Sequence, residues 1–194
     1  MDIVLSHVTK AYDGEPVLSD FSARLREGET TVLMGPSGIG KTTLLLLLLG
    51  LVSPDSGEIT GLPEKVSVIF QEDRLCEDFS ALSNVAMVLP RGGEETASAL
   101  LKALGLEEAM RQPVHTLSGG MKRRVAIARG LAADSPLLLM DEPFKGLDGA
   151  TRRQVMEAVR AETAGKTLLL ITHDPEEAAF WGGQLLKLEK TEEL

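Results

Sequence analysis

Cysteine is all but missing from this chain: Cys76 is the only one in 194 residues. A single thiol excludes an internal disulfide and a cysteine-built metal cluster, and fits a reducing compartment. Aromatic residues are nearly as scarce, at 4%, with one tryptophan and one tyrosine. Since the hydrophobic share is 43%, aliphatic side chains must fill the core. Positive charge is in deficit, with 20 lysines and arginines against 29 acidic residues and a net charge of −9. That balance argues against a general nucleic-acid binder and against adhesion to anionic lipid by charge alone. Long apolar runs are absent too. The most apolar stretch, Leu44 to Val52, is far short of the ~20 residues that span a bilayer. The N-terminal MDIVLSHVTK has no basic start leading into an apolar run, so no signal peptide is expected.

What is present centres on GPSGIGKTT, made of Gly35, Pro36, Ser37, Gly38, Ile39, Gly40, Lys41, Thr42 and Thr43. Gly35, Gly40, Lys41 and Thr42 fit the pattern of glycine, four residues, then Gly-Lys-Ser/Thr. Glycines let successive backbone N–H groups turn inward as a nest for anionic oxygen. A helix starting near Gly40 aims its free N–H groups and positive dipole end at the same point. Lys41 can place an ammonium on the β- and γ-phosphates of a nucleotide, and the Thr42 hydroxyl can ligate Mg²⁺. The flanks agree. TVLM, Thr31 to Met34, reads as a buried strand and KTTLLLLLL, Lys41 to Leu49, as a helix covered on every side.

The remainder alternates strands and helices without a repeat or low-complexity segment. Ile3–Val8 and Val17–Leu25 read as strands joined at Asp13-Gly14, a small antiparallel layer beside the loop. Glu58–Gly61 reads as a short edge strand and VSVIF, Val66 to Phe70, as a buried one. From Glu72 the pattern turns helical, with Ala81–Leu89, Glu94–Leu104 and a long stretch after Gly120 to Ala133. Further apolar strands are expected at Leu137–Met140, Thr167–Thr172 and Gln184–Leu188, with helices over Thr151–Ala164 and Pro175–Phe180, before a charged tail. The fold class is α/β: a mainly parallel sheet covered on both faces, a small antiparallel layer, and an inserted helical subdomain. The expected division is a core of residues 1–71 and 134–194 and a helical subdomain of 72–133.

Ligands collect at the carboxyl ends of parallel strands. Lys41, Gln71, Asp141 with Glu142, and His173 all stand at such ends. Phosphoryl transfer needs a metal holder, a group acting on water, and donors at the γ-phosphate. Asp141 suits Mg²⁺ through water. Glu142 leaves the strand in another direction and suits a general base. His173 can bond the γ-phosphate or the water, and Gln71 can touch Mg²⁺ or the water.

With these motifs in order, the chain resembles the ATP-binding cassette (ABC) ATPase family over essentially its whole length. Gly35 to Thr43 is its Walker A, FQEDRL around Gln71 its Q-loop, and LSGGMKRR from Leu117 its signature. LLLMDEP from Leu137 is its Walker B, GLDG around Asp148 its D-loop, and ITHD its switch histidine, His173. The resemblance implies a P-loop ATPase that takes ATP and Mg²⁺. Two cassettes, a homodimer or a pair, would face head to tail, with Ser118, Gly119 and Gly120 of one closing on the γ-phosphate held by Lys41 of the other. Otherwise Ser118 is a plain helix cap before a glycine pair. Tyr12 matches the family's adenine-stacking aromatic; the other reading packs it in the β layer.

No membrane helix is fused here, and stand-alone cassettes in the family serve importers with a separate permease. FQEDRL, the methionine after LSGG, and DEPFKGLD look like the nitrate, sulfonate and taurine branch. The resemblance implies a cytoplasmic subunit held on the inner face of the membrane by that permease, and a substrate-binding protein if the system imports. Leu75, Cys76 and Phe79 can floor a groove for a permease helix, or merely pin the helical subdomain. The rival readings are a soluble assembly or repair cassette and a non-hydrolysing regulatory one. Lys41 and Ser118 are too close in sequence to enclose a repair enzyme's coiled coil, and Lys41, Asp141, Glu142 and His173 are all intact. The basic run Lys122, Arg123, Arg124 and Arg129 is expected as a solvated or ion-paired helix face and not as a nucleic-acid site. Met121 stands where many members have glutamine and Gly146 where alanine is common. The usual helices after the last strand are not expected.

Overall fold

Leu137–Asp141 (β6) and Thr167–Ile171 (β7) have every residue buried, and the sheet is built outward from them. The computed structural model describes residues 1–188; the charged tail from Glu189 lies outside the described residues. The strand order is β5-β6-β7-β3-β8, with β3 at Thr30–Met34, β5 at Val66–Ile69 and β8 at Gln184–Lys187. Every pairing in it is parallel. A second, antiparallel sheet has the order β2-β1-β4, from Ile3–Tyr12 (β1), Glu15–Leu25 (β2) and Ser56–Thr60 (β4).

Side chains alternate across a strand, and here both alternating sets are apolar. Leu137, Leu139, Leu169 and Ile171 pack with Leu33 against the leucines of Lys41–Leu48 (α1) and the β layer. Leu138, Met140, Leu168 and Leu170 face the other way, into the cluster that holds Gly119–Ala132 (α4) and Gly149–Glu162 (α5). The helices Ala81–Ala86 (α2) and Glu94–Ala103 (α3) pack on α4 and share that cluster. Pro175–Trp181 (α6) adds Trp181, whose ring stacks on Phe144 with centroids 6.2 Å apart. The hairpin between β1 and β2 turns at Asp13 and Gly14, both at positive φ, the turn geometry that matches strand twist.

Two expectations are corrected. Val66–Ile69 is only half-buried because it is the outermost strand and has one neighbour. The helix from Ala81 stops at Ala86, with Met87 as its cap, rather than running to Leu89.

Gly130 marks where α4 meets the sheet. A Cβ there would fall 2.3 Å from Ile69 Cγ1, so the helix approaches β5 more closely than any side chain allows. Ordinarily Gly→Ala inside a helix gains ~1 kcal/mol. Gly130→Ala is expected instead to destabilise the fold by about 1–3 kcal/mol through overpacking. Chemical denaturation would read this, and an unchanged or raised midpoint would mean that α4 shifts freely.

Candidate nucleotide site

The loop from Gly35 to Gly40 leaves β3 and enters α1 directly, so it lies over the carboxyl edge of the sheet. Gly40 sits at φ 107, and a Cβ there would lie 2.9 Å from the Val17 carbonyl oxygen. Only glycine gives both the conformation and the clearance, and β2 thereby clamps the loop. Ile39 turns inward and is buried with the leucines of α1. Of the expected loop residues it is the one whose side chain anchors the loop. The Lys41 ammonium donates to the carbonyl oxygens of Gly35 at 2.7 Å and Pro36 at 2.8 Å, bridging the mouth of the loop.

Nine of the expected residues line one cavity of about 250 Å³: Ser37, Gly38, Gly40, Lys41, Thr42, Thr43, Gln71, Asp141 and Glu142. The strands that deliver Lys41, Gln71, Asp141 and Glu142 are far apart in sequence but end at one edge. Burial and the neighbouring Glu142 push the Asp141 carboxyl above its ordinary value, against the pull of Lys41. The Thr42 hydroxyl, the Gln71 amide carbonyl and the Asp141 carboxylate each offer an oxygen, the ligand type a hard divalent cation takes. Among the described residues no cluster of three or more His, Cys, Asp and Glu side chains exists to hold a metal by itself. A cation here would draw its remaining ligands from phosphate and water.

Glu142 stands at φ 44, an uncommon conformation for a side chain of this size. Its N–H still donates to the Ile171 carbonyl of β7 at 2.9 Å, so the ladder continues while the turn re-aims the carboxylate. Oε2 accepts from the Lys145 ammonium at 2.9 Å, and Oε1 lies 3.0 Å from His173 Nδ1. Burial pushes this carboxyl up, but the bonds and charges of Lys145 and His173 outweigh it and hold it below its ordinary value. His173 lines a smaller neighbouring pocket with Lys145, Arg152 and Glu177; Glu142 borders both pockets.

The other expected residues stand apart from this cavity. Tyr12 is exposed at the hairpin tip, with the Lys10 ammonium 5.6 Å from its ring centre. Ser118 caps α4, its Oγ accepting from Met121 N–H at 3.3 Å, and Gly119 already belongs to the helix. Asp148 caps α5, and the Thr151 N–H that it accepts holds its carboxyl below the usual range. Leu75 packs on the core, whereas Cys76 and Phe79 are exposed.

The basic run is not a solvated face. Lys122 pairs with Glu77, Arg124 donates to the carbonyls of Leu104 and Gly105, and Arg129 to those of Asp73 and Arg74. Arg123 is 3% exposed, and sequence reasoning missed it as a buried residue. Its signal was its place on the apolar stripe of α4, four residues before Ile127 and seven before Gly130. Also missed were Lys145, the partner of Glu142, and Asn84, which is fully buried and tethers the loop at Cys76 and Ser80.

A family profile described as ABC transporter matches residues 18–145. The taurine import ATP-binding protein TauB of Escherichia coli O157:H7 is 41% identical over 199 residues, covering 95% of this chain and 78% of the relative. TauB of Yersinia pestis bv. Antiqua (strain Antiqua) is 42% identical over 192 residues, covering 91% and 75%. Among solved structures, the dimeric bacterial ABC transporter cassette MJ0796 superposes with a TM-score of 0.85 at 32% identity, over 96% of this chain and 94% of that one. A dimeric post-hydrolysis state of MJ0796 bound to ADP and Pi also superposes at 0.85, with 30% identity.

Beside His173, the buried Glu177 accepts from Thr172 Oγ1 at 2.6 Å. Burial raises its pKa and Asp174 adds to this, against the Thr172 bond, Arg152 and His173. A carboxyl whose pKa rises on folding is best tolerated below its unfolded value of ~4.3. It costs stability as pH climbs through the folded value. Glu177→Gln should therefore raise Tm near pH 8, and the gain should shrink as pH falls towards about 4. A Tm below wild type at the alkaline end would contradict this.

Proposed function

The chain belongs to the ABC transporter family as an ATP-binding, ATP-hydrolysing subunit, and we propose that it powers import through a separate membrane permease. The observation that carries this is the convergence of Lys41, Thr42, Gln71, Asp141 and Glu142 on one glycine-lined cavity. No helix among the described residues is long and apolar enough to cross a membrane, and in this reading the pathway for cargo is the separate permease. The likeness to taurine import proteins supports the nitrate, sulfonate and taurine branch, with a separate protein capturing the substrate. In that arrangement the chain works at the cytoplasmic face of the membrane. In this reading residues 72–133 are the helical subdomain between the parts of the core, 1–71 and the residues from 134 on, of which those after 188 lie outside the described residues, and the exposed Phe79 lies where that subdomain would meet the permease.

The chemistry assigned to each residue follows from its position. The loop N–H groups from Ser37 to Thr43 and the N-terminus of α1 hold the β- and γ-phosphates. Lys41 exchanges the carbonyls of Gly35 and Pro36 for phosphate oxygen. Thr42 and Asp141, with Gln71, would hold Mg²⁺, which when bound neutralises charge on the β- and γ-oxygens. Glu142 takes a proton from the attacking water as the new O–P bond forms and the β–γ P–O bond breaks, the electron pair leaving on ADP. His173 orients Glu142 from the neighbouring pocket. Tyr12 offers its exposed face to adenine. Ser118, Gly119 and Gly120, with Asp148 nearby in the interface, serve the ATP of a second cassette, as the dimeric relatives support.

Glu142→Gln is expected to keep ATP affinity within about twofold, to lower turnover at least 100-fold, and to accumulate an ATP-bound dimer. Phosphate release and gel filtration with ATP would read it, and hydrolysis near the wild-type rate would remove Glu142 from the reaction. Ser118→Arg should leave ATP affinity of the monomer unchanged while turnover falls at least tenfold, because the serine acts on the other copy's nucleotide. Loss of affinity in the monomer would refute action in trans.

A further inference from the structure

Among the described residues Arg123 has a single ion-pair partner, Asp73 at 3.1 Å, although its guanidinium is almost wholly buried. Its remaining donors go to backbone carbonyls at two strand ends. Nη1 donates to Phe70 at 2.7 Å and to Gln71 at 3.2 Å. Nη2 donates to Glu142 at 3.1 Å and lies 3.4 Å from the Asp141 oxygen, and Nε donates to Pro143 at 2.6 Å. These carbonyls lie where β5 and β6 have stopped pairing, so no neighbouring strand can satisfy them. A planar group with a fixed fork of donors can span both backbones; an ammonium cannot.

Arg123 is also on α4, the helix whose first residues, after the Ser118 cap, do not line this cavity. One rigid helix therefore joins the surface presented to a second copy to the backbone of Gln71 and Glu142. We propose that Arg123 is a positioning residue for hydrolysis: it locks the main chain at Gln71 and Glu142 to the signature helix, so that closure of Ser118 on one nucleotide sets the carboxylate at the other. This rests on the head-to-tail ATPase reading above. It adds a residue and a route for communication between the two sites, through the backbone rather than through any side chain touching ATP.

The test compares Arg123→Gln and Arg123→Lys with wild type, using the full chain, Mg-ATP, and steady-state phosphate release at several protein concentrations. Both variants should bind ATP within about twofold of wild type, because Arg123 touches no residue of the phosphate loop. Both should lose kcat at least tenfold with little change in KM, and any Hill coefficient above 1 in wild type should fall towards 1. Lysine should not rescue, since it keeps the charge but loses the fork. A folded variant with kcat within twofold of wild type, or full rescue by lysine, would overturn the proposal. So would kcat, ATP affinity and Tm falling together, or failure of both variants to fold, because either marks a purely structural arginine. Absence of ATP hydrolysis in the wild-type chain would instead sink the ATPase reading itself, which keeps the two failures distinct.

Discussion

A parallel sheet leaves its last carbonyls without partners, all along one edge, and this chain's chemistry is built on how that edge is closed. Peptide groups that stop pairing must find other donors or water. After β3 the chain enters a glycine loop whose N–H groups turn inward and whose lysine caps two of its own carbonyls. After β7 it turns at Thr172, whose hydroxyl accepts from Asp174 N–H, and Asp174 then caps α6. After β5 and β6 a single guanidinium closes both ends. Each closure also fixes a polar side chain at the rim, so the interactions that finish the sheet and those that shape the cavity are the same ones.

That rim is built at a cost to the fold. Asp141 is a buried carboxylate pressed upward in pKa by burial and by Glu142, and Glu142 adopts a backbone conformation that costs of order 1–3 kcal/mol. Glu177 behind them is buried and raised as well. These buried carboxylates gather at one edge, while the opposite, amino-terminal ends of β6 and β7 are plain leucine and threonine. In the proposed reading a triphosphate with its cation would offset these terms by supplying partners for Asp141.

The fold was legible because its signals were local and redundant. LLLM and TLLLIT read as buried strands, and the glycine loop fell between a strand and a helix. The convergence of Lys41, Gln71, Asp141 and Glu142 was legible from one topological rule about strand ends. What escaped were facts set by neighbours in space. Whether a strand is central or outermost is not written in its own residues, so VSVIF read as buried. Arg123 was grouped with Lys122, Arg124 and Arg129 by adjacency, although the helical period separates it from them and puts it on the apolar stripe. The pairing of Glu142 with Lys145 and His173 depends on a turn at positive φ that no glycine announced.

One copy of the chain leaves its nucleotide cavity open. The cavity has a floor of loop amides and one wall of carboxylates, but nothing on the described residues covers its outer side. The signature residues Ser118 and Gly119 are exposed elsewhere. The first N–H groups of a helix have no partners within it; at α4 only Met121 N–H is taken, by the Ser118 hydroxyl. A helix end of this kind, with two glycines and no acidic residue in its first turn, repels nothing anionic and offers donors to whatever anion approaches. The open wall of one copy and the uncommitted helix end of another are complementary in charge and in hydrogen bonding. Neither is satisfied by its own chain, and in the proposed head-to-tail arrangement a shared triphosphate would satisfy both.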